Sequence, residues 1–219
     1  MDFVESIMAE NKDLINSSEL VAIKKEVPKR SYTGIVRRTN PSNKKLLRKD
    51  FSCRCCYCDD FDEIRSCKAD YQVEHFAPFS RFKKLKNVYD NLLYSCRTCN
   101  GAKSNKWPSS SPKVSVVGNE GFLDPCKDEY YHHLARKKSG EIVYLTDLWK
   151  YMYENLNLFL SIHEICYILE RYKEFLDQVD KKLLDESLNS KERDKIEKVK
   201  SLLNKEFMKY YSMKINQDS

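Results

Sequence analysis

Cysteine spacing constrains this chain more than any other feature. Four of its nine cysteines crowd into Cys53-Arg54-Cys55-Cys56-Tyr57-Cys58, and another pair sits at Cys96-Arg97-Thr98-Cys99. Two C-x-x-C pairs a few tens of residues apart are the layout of a tetrahedral four-thiolate zinc site. Each pair bends a tight knuckle that turns two sulfurs toward one ion, and the two knuckles pin distant stretches of chain together. In the first cluster both Cys53/Cys56 and Cys55/Cys58 have the spacing. The set expected is Cys55 and Cys58 with Cys96 and Cys99. Four thiolates leave no open coordination position, so this zinc is expected to be structural. A redox C-x-x-C would need a βαβ context that the sequence lacks. Cys67, Cys126 and Cys166 have no partner at such spacing, and Cys166 reads as a helix core residue.

The compartment supports a metal over disulfides. No apolar run approaches the ~20 residues of a membrane span. The stretch MDFVESIMAENKD at residues 1–13 has acids where a secretory leader has a basic patch and an apolar run. These signs point to a cytoplasmic protein with no membrane partner, where structural disulfides are rare.

The net charge of +6 is unevenly spread. Residues 22–54 carry eleven basic and two acidic residues, and residues 79–113 carry eight and one. Between them, residues 57–74 hold six acids against Arg65 and Lys68. Two basic stretches around an acidic one suit a polyanion-binding face with an embedded cation, and equally suit solvated surfaces.

The 219 residues divide by pattern into four parts. Residues 1–50 read as a short amphipathic helix (Phe3, Val4, Ile7, Met8, Leu14, Ile15) and a basic arm. Residues 51–108 form the cysteine-rich block, and residues 109–147 a loop with a short strand after Ser139-Gly140. Residues 148–219 are helical: an apolar stripe runs Leu148, Met152, Leu156, Phe159, Ile162, Cys166, Leu169, Tyr172, Leu176. A second helix starts near Ser190 as N-cap and carries Ile196, Val199, Leu203, Phe207 and Tyr210. The fold expected is α+β: a small zinc-stabilised core with a C-terminal helical hairpin.

Between and just after the knuckles the chain reads Tyr71-Gln72-Val73-Glu74-His75, then Tyr89-Asp90-Asn91, then Asn100-Gly101-Ala102-Lys103-Ser104. This arrangement resembles the HNH endonuclease family, whose site is a ββα-metal finger. Glu74-His75 matches the family's acid–His pair at the end of the first strand, Asn91 its central Asn, and Asn100 its helical residue. The namesake His is Asn in the variant whose helix reads N-x-x-K-S, as here. The flanking C-x-x-C pairs resemble the supporting zinc knuckle of many members. Weaker likeness extends over 121–146, at Gly121–Cys126 and Gly140–Val143. The C-x-Y-C start and the V-E-H-F-x-P run resemble the nuclease subunits of Septu-type bacterial anti-phage systems, which act beside a separate ATPase.

The resemblance implies a metal-dependent hydrolysis of phosphodiester bonds. His75 would be the general base. Glu74 and Asn100 would hold one catalytic Mg2+ or Mn2+. Asn91 would orient the His75 ring. Lys103, one turn past Asn100, would reach the phosphate. Arg81, Lys83, Lys84, Lys86 and Lys106 would hold the DNA backbone without reading bases. RNA, for instance tRNA, would suit the same site. A non-catalytic zinc module binding nucleic acid or protein is the reading from another class. The helical region at 148–213 would be the face that docks the ATPase. His132-His133 reads as surface or packing, and His163 as structural.

Overall fold

The computed structural model describes residues 2–23, 27–36, 41–65 and 70–218. Cys67, and Lys24, Lys25, Arg37 and Arg38 of the basic arm, lie outside the described residues. In chain order the elements are α1 (Phe3–Asn16), β1 (Leu20–Ala22), α2 (Pro41–Asp50), α3 (Asp62–Arg65), β2 (Tyr71–His75), β3 (Leu92–Cys96) and α4 (Arg97–Lys103). They continue with β4 (Val116–Val117), β5 (Glu120–Gly121), β6 (Leu134–Lys137), β7 (Ile142–Tyr144), α5 (Asp147–Asn155), α6 (Ser161–Leu183) and α7 (Ser190–Asp218). Two units divide the chain. One comprises residues 1–20, 137–141 and 161–219; the other comprises 21–136 and 142–160. No described helix is long and apolar enough to cross a membrane.

The first unit is helical. Ile7 and Leu14 of α1 pack with Ile168, Tyr172, Phe175 and Val179 of α6 and with Ile196, Val199 and Leu203 of α7. Asp2 and Glu5 form a capping box on α1. Cys166 is buried, as its place on the stripe implied. The N-cap of α7 is Asn189, not Ser190. The Glu192 amide donates to Asn189 Oδ1 at 3.0 Å, and the Asn189 amide donates back to Glu192 Oε2 at 2.9 Å.

The continuous stripe from Leu148 is two helices. At the end of α5, Asn157 takes φ +57°. The Leu158 amide then donates to the Tyr153 carbonyl at 2.9 Å, and the Asn157 amide reaches that of Glu154 at 3.4 Å. This pair of bonds is a Schellman stop, usually made by Gly and sometimes by Asn. Apolar residues on both sides kept helical phase through the break, so periodicity concealed it. Phe159, in the connection, is 54% exposed.

The second unit holds a core rich in tyrosine. Tyr57, Tyr71, Tyr89, Tyr94 and Tyr130 are all nearly or fully buried, with Trp149, Phe122 and Leu93 around them. A buried phenol needs a partner. Tyr71 donates to the Asp60 carbonyl, Tyr94 to Asp62 Oδ2 and Tyr89 to Asp50 Oδ2, all within 2.8 Å. Asp62 also takes a two-pronged grip from Arg48 at 2.6 and 2.9 Å, and Asp60 pairs with Arg65 at 2.8 Å. The acids of 57–74 are thus largely internal counter-ions. Basic residues of the arm serve the same end: Arg48 does so here, and Arg30 clamps Asp124 at 3.0 and 3.1 Å. Charge runs in the sequence did not mark a surface here.

Candidate functional site

Two knuckles converge. The first is a hairpin tip: Arg54 bridges Phe61, the Cys55 amide donates to the Asp60 carbonyl, and the Asp59 amide donates back to Cys55. Ser52, Cys53 and Asp59 take positive φ to turn it. The second is the start of α4, where Cys96 is the N-cap and its sulfur accepts the Cys99 amide at 3.4 Å. The Cys96 amide donates to Cys55 Sγ, also at 3.4 Å. The sulfurs of Cys55, Cys58, Cys96 and Cys99 lie within 4.8 Å of one another, all buried. Cys53 and Cys56 are outside this set, which resolves the ambiguity of spacing.

The geometry fits zinc. An ion ~2.3 Å from four tetrahedral sulfurs sets them ~3.8 Å apart, and Cys58 Sγ to Cys96 Sγ is 3.8 Å. Burial disfavours a thiolate at Cys55, yet hydrogen bonds from Cys56, Cys58, Cys96 and Cys99 hold it well below the ordinary thiol range. Cys58 and Cys99 are pushed well above it, by burial first. A dication held among these sulfurs would favour their ionised form in this buried space.

These knuckles frame a ββα unit. Strands β2 and β3 pair antiparallel, with Glu74 opposite Leu93 and His75 opposite Leu92, and α4 follows β3 directly. Along one side opens a cleft of about 440 Å³ lined by Gln72, Glu74, His75, Phe79, Asn100 and Ser104 among others. Glu74, His75 and Asn100, chosen from sequence, therefore face one space.

His75 sits at the end of β2, where its Nε2 lies 2.9 Å from the Lys86 carbonyl. A carbonyl only accepts, so Nε2 carries the hydrogen and the neutral ring keeps its basic lone pair on Nδ1. The Phe79 ring packs 4.7 Å away. The side chain of Asn91 is hydrogen-bonded to the loop backbone. Its Oδ1 accepts the Ala77 amide at 2.8 Å, its Nδ2 donates to the Ala77 carbonyl at 2.9 Å, and its own carbonyl accepts the Phe76 amide. It thereby closes the base of the loop that delivers Lys86 to His75.

Glu74 is 5% exposed. Burial raises its carboxyl above the ordinary range, and Lys103 draws it back only in part. Here the expectation for Lys103 needs correction. Helical spacing put it within reach of a phosphate, but its side chain is fully buried. Its Nζ lies 2.6 Å from Glu74 Oε1 and donates to the His75 carbonyl at 3.2 Å, above the Phe122 ring. The inner face of α4 packs against β2, so the ammonium meets the strand's acid before any solvent. Tyr57, inside the first knuckle, points its hydroxyl at the same Glu74 oxygen from 3.4 Å.

The basic loop divides. The guanidinium of Arg81 donates to the carbonyls of Trp107 and Ser109 at 2.6 and 2.7 Å, tying 81 to the segment after α4. Lys83, Lys84, Lys86 and Lys106 are exposed. Sequence reasoning missed Gln72, whose Oε1 accepts a hydrogen bond from Asn100 Nδ2 at 2.5 Å. Its place two residues before Glu74, hence on the same strand face, was the available signal. His132 is exposed, and His133 Nδ1 lies 3.1 Å from Thr146 Oγ1.

Carboxylate and carboxamide oxygens around a polar cleft are the donors that hard divalent cations take. Residues 53–106 match the family described as HNH endonuclease. That match covers about a quarter of the chain. Over 154 residues the chain is 29% identical to the Septu protein PtuB of Bacillus mycoides (strain KBAB4), covering 60% of this chain and 51% of the relative. Over 170 residues it is 23% identical to the Septu protein PtuA of the same strain, covering 62% of this chain and 23% of that relative. The chain thus spans about half the length of the first relative and under a quarter of the second. No solved structure matches. The matched segment contains both knuckles, β2, β3 and α4.

Proposed function

We propose that the chain is a metal-dependent endonuclease that hydrolyses phosphodiester bonds of DNA, working in anti-phage defence beside an ATPase subunit. The observation that carries the catalytic part is His75: its Nε2 is committed to Lys86, and it opens on the same cleft as Glu74 and Asn100. Glu74 and Asn100 would hold Mg2+ or Mn2+, which when bound supplies Lewis-acid stabilisation of the phosphate and the leaving 3′ oxygen. His75 Nδ1 takes a proton from the attacking water, whose oxygen forms the new bond to phosphorus as the P–O3′ bond breaks. Asn91 holds the loop that orients the ring. Lys103 acts through Glu74, keeping a buried carboxylate partnered, and is a positioning residue. Lys83, Lys84, Lys86 and Lys106 are the groups that would hold the nucleic-acid backbone, with a charge contribution from Arg81.

The structural zinc of Cys55, Cys58, Cys96 and Cys99 would keep β2 and α4 in register. The defence role and a multi-component system are supported by the two Septu relatives, and the ATPase as partner rests on the family resemblance alone. With them goes a functional division into arm (1–50), nuclease core (51–108), extension (109–147) and C-terminal helical region (148–219), in which 148–213 would dock the partner.

The test is incubation with plasmid DNA and with tRNA, side by side, in Mg2+ or Mn2+. The reading expects plasmid cleavage that His75→Ala abolishes. Cleavage of tRNA alone replaces the substrate with RNA. Full activity in His75→Ala overturns the catalytic assignment, and an intact protein that cuts neither leaves a zinc-dependent binding module.

A further inference from the structure

We infer that Gln72 is a positioning residue that fixes the Asn100 side chain so that its carbonyl oxygen, and not its NH2, is offered to a divalent cation in the cleft. The inference rests on the site reading above and deepens it.

A carboxamide has two orientations of nearly equal shape, one presenting oxygen and the other nitrogen. Only the oxygen can ligate Mg2+ or Mn2+. Asn100 stands on α4 and lines the cleft with Glu74. Gln72 stands two residues before Glu74 on β2, so both side chains leave the strand on one face. Gln72 Oε1 accepts from Asn100 Nδ2 at 2.5 Å. That bond occupies the nitrogen end of the amide and leaves Oδ1, on the opposite branch, as the end available to a cation.

The two oxygen donors of the cleft are held differently. Glu74 is oriented by Lys103 from inside the fold, at 2.6 Å. Among the described residues Asn100 has no such internal grip, and its orientation comes from a side chain at the surface. Gln72 is itself exposed, so replacing it changes the hydrogen bond without opening the core.

The experiment measures Mn2+ binding to the zinc-loaded full chain by water-proton relaxation. Four variants are compared with the unmodified chain: Gln72→Leu, Gln72→Glu, the double variant Gln72→Glu/Asn100→Ala, and Glu74→Gln. Gln72→Leu is expected to weaken Mn2+ binding about tenfold or more, the usual effect of losing a partner that orients a ligand. Gln72→Glu still accepts from Nδ2 and should restore the affinity, while zinc content and Tm stay unchanged in both. The double variant should bind weakly. Gln72→Leu that binds like the unmodified chain, while Glu74→Gln loses Mn2+, overturns this inference and leaves the site intact. Restoration that survives in the double variant means the new carboxylate ligates directly, and overturns the positioning role. No Mn2+ binding that depends on Glu74 overturns the site and this inference together.

Discussion

Lys103→Met removes the ammonium from the fully buried Lys103 while keeping a flexible chain of similar volume over Phe122. Glu74, whose side chain is 6% exposed, then loses its partner at 2.6 Å. What remains is a backbone hydrogen bond from His75 and Tyr57 at 3.4 Å, neither of which carries a charge to replace the ammonium. Neither group is exposed, so solvent screening does not soften the loss. Removing one member of a buried pair costs about 3–5 kcal/mol, because the other charge stays behind. In a chain of this size that lowers Tm by on the order of 10 °C.

The pH dependence follows from Glu74. Its folded carboxyl already lies above the reference value of 4.5, for which burial is the main cause, and loss of Lys103 raises it further. A raised carboxyl contributes stability that is complete below the unfolded pKa and is lost as pH rises through the folded one. The deficit of the variant should therefore be small near pH 4.5, open as pH rises, and level off above its own folded pKa. Urea unfolding of the zinc-loaded protein from pH 4.5 to 8 measures it. The double variant Lys103→Met/Glu74→Gln should recover most of the loss at pH 8, giving a coupling between the two sites. A deficit below about 1 kcal/mol at pH 8, or one of equal size at every pH, would refute the buried-pair reasoning.

Cys58→Ser should abolish zinc binding and native folding of its unit, whereas Cys53→Ser should retain one zinc per chain; metal analysis of the two purified variants decides between them. Asn91→Ala orphans both backbone groups of Ala77, now bonded at 2.8 and 2.9 Å, and should cost about 2–4 kcal/mol in urea unfolding. It should also slow cleavage through the loosened Lys86 loop. Gly121→Ala places a Cβ 2.1 Å from the Ser115 carbonyl oxygen at φ +138°, so about 2 kcal/mol or more of stability should be lost, read as a fall in Tm.

Much of the site was legible because its chemistry needs particular residues at short spacing. The two C-x-x-C pairs, Glu74-His75 and Asn100 could be picked from the chain, and the cleft gathers the last three. Ambiguity persisted where two options had identical spacing. Cys53/Cys56 and Cys55/Cys58 differ only in which pair the hairpin tip turns inward, and that depends on the bonds of Cys55 to Asp60 and Asp59.

Helices show the same division. The stripes of α6 and α7 were readable from period alone, since the burial of one face in a helical unit is a local pattern. The stop at Asn157 was not, because its neighbours kept the phase.

What the sequence by itself determined is the inventory and its local order: paired cysteines, an acid–His pair, a helical Asn, and the helices that follow. Only the tertiary structure decided which charges face solvent. Lys103, read as a group for phosphate, is a buried counter-ion, and Asp60 and Asp62, members of the acidic stretch, anchor tyrosines and arginines. The reason is that burying a charge or a phenol is costly without a partner. The partners come from distant parts of the chain, and only packing brings them together.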